Sequence, residues 1–98
     1  AQAVRTFRRN LSADIADIGK KPDAAILAPG EYVKVPAENG LSEIAWAFTC
    51  CPGCACIWML GKRVHKVDAS GVVTPSDLCP NPAGCSFHEF IRLDDWSD

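Results

Sequence analysis

The sequence predicts a mostly β fold: a small antiparallel β domain preceded by a short N-terminal helix and an extended N-terminal arm. From residue 24 onward, short apolar runs alternate with turn residues. Only residues 12–19 carry helix start and stop signals. Near the end, three prolines and a glycine within residues 75–85 exclude a regular element there and predict a loop.

Taken in order, residues 1–10 show neither strand nor helix periodicity and read as an arm. Ser12 is placed to cap a turn or two of helix over Ala13-Asp14-Ile15-Ala16-Asp17-Ile18, with Gly19 closing it. So short a helix has to pack on something to persist. Ala25-Ile26-Leu27 is a brief apolar run, Pro29-Gly30 a turn, and Glu31 to Val35 a strand stopped by Pro36. Leu41 to Thr49 alternates most clearly, with Ile44, Trp46 and Phe48 on one face and Ala45, Ala47 and Thr49 on the other. Ile57 to Leu60 and Arg63 to Val67 suggest a hairpin about Gly61-Lys62, followed by a strand at Val72 to Thr74 and a last one at Phe87 to Leu93.

With 98 residues, the chain can bury one modest core. Its 48% apolar content is too high for a disordered chain. No apolar run approaches the roughly 20 residues of a membrane-spanning helix, so no membrane partner is expected. Nor does the N-terminus show the basic-then-apolar order of a secretory signal, so synthesis in a cytoplasm is expected. Charge is unevenly spread. Residues 1–21 hold five bases against two acids, whereas residues 22–98 hold five bases against ten acids. A basic arm on an acidic body suits docking onto an acidic surface and makes nucleic-acid binding by the body unlike what its charge favours.

Four of the six cysteines, Cys50, Cys51, Cys54 and Cys56, fall within seven residues, followed by Cys79 and Cys85. Such crowding favours metal over a disulfide framework. Cys51-Pro52-Gly53-Cys54 has the spacing of a zinc knuckle: two thiolates on one tight reversal, with Gly53 free to take positive φ so that backbone N–H groups face sulfur. Tetrahedral closure needs two further ligands, and Cys85 and His88 form a CxxH pair at the mouth of the last strand. The expected site is therefore Cys51, Cys54, Cys85 and His88, with Cys56 or Cys79 as alternatives to Cys85, and with Cys50 a buried thiol. Four protein ligands leave no open position, so the Zn²⁺ would be structural. Residues 1–22 then form the arm and helix, and residues 23–98 the zinc-binding β domain.

The order Phe48, Cys51-Pro52-Gly53-Cys54, a hairpin, Thr74-Pro75-Ser76, Cys85, and His88-x-Phe90-Ile91-Arg92 resembles a small cysteine-rich zinc-binding domain family of unknown function. That family is common in tailed-phage genomes and is sometimes mislabelled as an ammonia monooxygenase. The resemblance spans about residues 46–96, matches Cys51, Cys54 and His88, and has Cys85 offset. It implies a β domain without enzymatic activity. Neither Ser76 nor Ser86 has a base at nucleophile spacing, and no phosphate-cradling loop is present.

These readings converge on a non-enzymatic structural or interaction protein, a virion component such as a decoration, cement or minor capsid protein. Its partners would be other virion proteins, capsid or tail subunits met through the N-terminal arm. The alternative is an intracellular zinc-ribbon-like adaptor, for which Lys62, Arg63, His65 and Lys66 supply the only basic patch.

Overall fold

A computed structural model describes residues 4–18, 26–80 and 84–97. It contains strands β1 (Val4–Arg9), β2 (Glu31–Lys34), β3 (Ala45–Cys50), β4 (Ile57–Gly61), β5 (Lys66–Val67), β6 (Val72–Leu78) and β7 (His88–Leu93). All seven join one curled sheet in the order β4-β3-β2-β1-β7-β6-β5.

The sheet is mixed, not purely antiparallel, because β1 runs parallel to both β2 and β7. Its residues were expected as an arm, yet Val4–Arg9 is the middle strand. The alternation was hidden by polar residues on both faces: Arg5, Thr6, Arg8 and Arg9 surround Phe7, which alone turns fully into the core. Two of the basic side chains are held within the domain. Arg5 pairs with Glu89 at 3.0 Å, and Arg9 Nη1 donates to the Asp95 carbonyl at 3.0 Å.

A parallel neighbour requires a long crossover. Residues 10–30 make it, and their described part carries the segment expected as helix. Instead of a helix there is a single 3₁₀ turn, Ile15–Asp17, capped by Asp14, whose side chain accepts from the Ala16 N–H. Ser12 does not cap it: its N–H and hydroxyl both donate to Asn10 Oδ1. The expected stop at Gly19 lies outside the described residues. Ile15 and Leu27 from this crossover pack with Val33, Val35, Ala45 and Cys50 on the outside of β2 and β3.

The larger core fills the inside of the curl and includes Phe7, Tyr32, Ala47, Trp58, Leu60, Val73, Phe87, Ile91 and Leu93. A register shift between Ala45 and Ala47 in the β3–β4 pairing redirects the expected alternation. Trp46 packs against the inner core while Phe48 packs against the outer one, so the two aromatic residues do not share a face. Leu41, expected in this strand, lies in a 3₁₀ turn at Gly40–Glu43 that precedes it.

Two connections also differ from expectation. The chain does not fold back at Gly61-Lys62 into a β4–β5 hairpin; β5 pairs with β6 on the far side of the sheet. Residues 62–65 make this crossing, pinned by the Trp46 indole, which donates to the His65 carbonyl at 3.0 Å. Further on, β6 continues through Pro75 to Leu78. Its pairing with β7 shifts between Val73 and Asp77, giving Pro75 a place where no ladder N–H is needed.

The curl brings β4, at one end of the strand order, against β6 near the other. Trp58 Nε1 on β4 donates to Asp77 Oδ2 on β6 at 3.1 Å, and the Trp58 and Phe87 rings lie 6.1 Å apart. Asp77 is only 2% exposed, and His65 Nε2 approaches its other oxygen at 3.7 Å. Burial pushes the Asp77 carboxyl above its ordinary value, against the pull of His65 and the Trp58 hydrogen bond.

Candidate metal centre

Two loops carry five of the six cysteines, Cys50 being the last residue of β3. The first leaves β3 at Cys51 and returns at Cys56 before β4. It closes on itself: the Cys51 N–H donates to the Cys56 carbonyl at 2.8 Å, and the Ala55 N–H to the Cys51 carbonyl at 2.9 Å. Gly53 N–H donates to Cys51 Sγ at 3.3 Å, as a knuckle requires. The left-handed residue is Ala55 at φ 62°, not Gly53, because the reversal closes one step further on, against Cys56.

The second loop joins β6 to β7. Cys79 follows directly on β6, where its N–H donates to the Phe87 carbonyl at 3.0 Å, and Cys85 lies on the return path. The hairpin therefore holds one cysteine at its departing stem and one near its arriving stem.

Curling of the sheet sets these loops against each other. Cys51 Sγ lies 3.6 Å from Cys85 Sγ, and Cys54 Sγ lies 3.7 Å from Cys79 Sγ. All four sulfurs are within 4.8 Å of one another and can hold a metal ion. The contacts are nearly twice the roughly 2.05 Å of a disulfide, and the cysteines are unbridged. Each loop thus contributes two thiols, with Cys51 and Cys79 buried and Cys54 facing solvent. Burial raises the Cys51 thiol above its ordinary value, while the N–H groups of Cys54 and Gly53 pull the other way. A cation among the sulfurs would convert them to thiolates.

Of the expected ligands, Cys51, Cys54 and Cys85 come together, and Cys79 stands in the fourth place. His88 is elsewhere. It is exposed on β7, with Nε2 2.9 Å from Ser76 Oγ on the neighbouring strand. The CxxH spacing placed it near Cys85 in sequence, but the strand begins at His88 and carries its ring onto the sheet surface. The signal for Cys79 was its position at the other stem of the loop ending in Cys85, which makes two stem thiols facing two knuckle thiols.

The remaining cysteines take other roles. Cys50 is fully buried in the outer cluster, its thiol donates to the Ala55 carbonyl at 3.4 Å, and burial pushes it up to about 11. Cys56 packs against the inner core.

Sequence reasoning also missed the Ser76–His88 pair. Among the described residues the His88 ring has no second hydrogen bond to orient it, and the pair lies on an exposed strand surface. The basic patch over residues 62–66 is likewise divided: Lys62 Nζ sits 4.5 Å from the Trp46 ring centroid, and His65 turns inward to Asp77.

Fold and site together define a class: a curled β domain whose two cysteine loops converge on a four-sulfur cluster able to hold a metal ion. In comparisons with known proteins, the chain matches no family model, no curated protein and no solved structure.

Proposed function

We propose that this chain is a non-enzymatic structural or interaction domain, stapled by one structural Zn²⁺ on Cys51, Cys54, Cys79 and Cys85. The observation that carries the reading is the meeting of two thiols from each of two loops set far apart in the strand order. With Zn–S distances of about 2.3 Å, the edge of a regular tetrahedron is about 3.8 Å, close to the 3.6 and 3.7 Å separations of the paired sulfurs. Four thiolates favour a soft tetrahedral ion and leave no position for water or substrate. Such an ion crosslinks the β3–β4 loop to the β6–β7 loop, in line with the Trp58–Asp77 bond. The curl then stays closed in a domain whose core is small.

The resemblance of residues 46–96 to the zinc-binding domain of tailed phages supports a place in a virion, as a decoration, cement or minor capsid protein. Since Val4–Arg9 is a central strand, partners on that reading meet the folded body and not a free arm.

Metal analysis of protein purified without added metal, followed by thermal unfolding with and without a strong chelator, tests the proposal. One zinc per chain is expected, with loss of the cooperative transition once the metal is removed, because structural zinc is coupled to folding by on the order of 10 kcal/mol. Metal-free protein that melts identically with and without chelator refutes the staple.

A further inference from the structure

We propose that the cleft between β2, β3 and the end of β4 binds a carboxylate, presented by an acidic segment of a protein partner. The cleft has a volume of about 140 Å³ and is lined by Lys34, Val35, Ser42, Ala45, Trp46 and Lys62, among others. It lies apart from the cysteine cluster and shares no residue with it.

The strand register places the two lysines here. Lys34 on β2 pairs with Ala47, next to Trp46 on β3, and Lys62 follows Gly61, which pairs with Ala45. The two lysines therefore come from the chain segments on either side of β3, the strand that carries Trp46, and both line the cleft. Both are held by aromatic rings: Lys62 Nζ lies 4.5 Å from the Trp46 centroid, and Lys34 Nζ lies 5.4 Å from that of Trp96. The two indoles meet edge to face at 6.2 Å. Cation–π contact positions an ammonium but leaves its charge unneutralised and its N–H groups free to donate.

Among the described residues, neither lysine has a carboxylate partner. The ion pairs there use Arg5, His65 and Arg92. Other polar hydrogens in the cleft are engaged, since the Trp46 indole donates to the His65 carbonyl and the Ser42 hydroxyl to the Ala37 carbonyl. What the cleft offers a ligand is two cationic donors against an apolar and aromatic wall. That combination suits a group which only accepts hydrogen bonds, is negative, and carries a short hydrocarbon stem, as an aspartate or glutamate side chain does. Of the N-terminal bases, Arg5 and Arg9 are occupied within the domain, and Arg8 lies beside the Glu31 carboxylate.

The test follows the indole N–H signal of Trp46 in ¹⁵N–¹H spectra of the zinc-loaded full chain, titrated with a capped Glu-rich peptide and separately with glutarate. Saturable movement of that signal by the peptide is expected. Binding should weaken about tenfold in Lys34→Gln/Lys62→Gln, as two exposed charge pairs imply, and several-fold on raising salt from about 0.05 to 0.5 M. Glutarate binding as tightly as the peptide overturns the protein partner in favour of a small dicarboxylate. Movement that survives the double substitution, or no movement with either probe, overturns the site. Self-association of the chain that is lost in the same variant identifies the acidic partner as a second copy. Zinc content measured on every sample keeps this outcome separate from the staple, because the double variant retains all four thiols.

Discussion

Replacing Trp58 by Phe probes the contact that holds the curl shut. The substitution removes the only indole donor to Asp77 Oδ2, a 3.1 Å bond made by a carboxylate that is 2% exposed. A hydrogen bond to a charged group contributes about 1.5–3 kcal/mol. The missing ring volume, about 40 Å³, adds about 1 kcal/mol as cavity. The expected loss is therefore about 2.5–4 kcal/mol, a large share of the 5–15 kcal/mol typical of a whole domain. Packing and hydrogen bonding separate in a double-mutant cycle with Asp77→Leu. Either single change strands a buried polar group, whereas the double change removes both partners, so the pair should be less destabilised than the sum by about 1.5–3 kcal/mol. Urea unfolding at fixed free zinc measures this, since an ion held by the four cysteines would shift every midpoint. Additivity within about 0.5 kcal/mol would refute the claim that this bond closes the sheet.

Tyr32, the one tyrosine of the chain, is fully buried and donates to the Asp94 carbonyl at 2.6 Å. Burial pushes its phenol up from 10.0 to about 12. The folded state keeps the proton where the unfolded chain has lost it, so this stability is complete below pH 10 and falls as pH rises through about 12. Phenolate absorbance should show a single titration near 12, and a midpoint near 10 would contradict the burial. Gly71, at φ 90°, accepts the Leu93 N–H through its carbonyl, and a Cβ there would collide with the Leu93 carbonyl oxygen. Gly71→Ala should cost about 2–4 kcal/mol from strain and displacement of β7; a melting temperature equal to that of the parent chain would count against this geometry.

The strands whose alternation or turn signals are local were legible: β2, β3, β4 and β7 lie where the apolar runs place them, within a few residues. What pattern cannot show is pairing. The middle position of β1 depends on a single inward Phe7 among polar neighbours, and its parallel partners are remote in sequence. The crossing from β4 to β5 was hidden because Gly61-Lys62 has good turn chemistry, and only the Trp46–His65 and His65–Asp77 contacts reveal that the chain travels on. The same holds at the site. Cys51 and Cys54 are separated by two residues across one turn and were plain from spacing, and Cys85 followed from the need for closure. Choosing between His88 and Cys79 required knowing where β7 begins: a strand starting at His88 turns its ring to the surface, while the stem at Cys79 points its thiol toward the knuckle.

Cobalt substitution tests the central claim most directly, because the intensity of thiolate-to-cobalt charge transfer counts the sulfurs on the ion. Four thiolates are expected in the parent chain, an unchanged spectrum in His88→Ala, and loss of about a quarter of the intensity, or of the metal itself, in Cys79→Ser. A spectrum that survives Cys79→Ser and changes in His88→Ala would return the fourth position to histidine and contradict the four-sulfur staple.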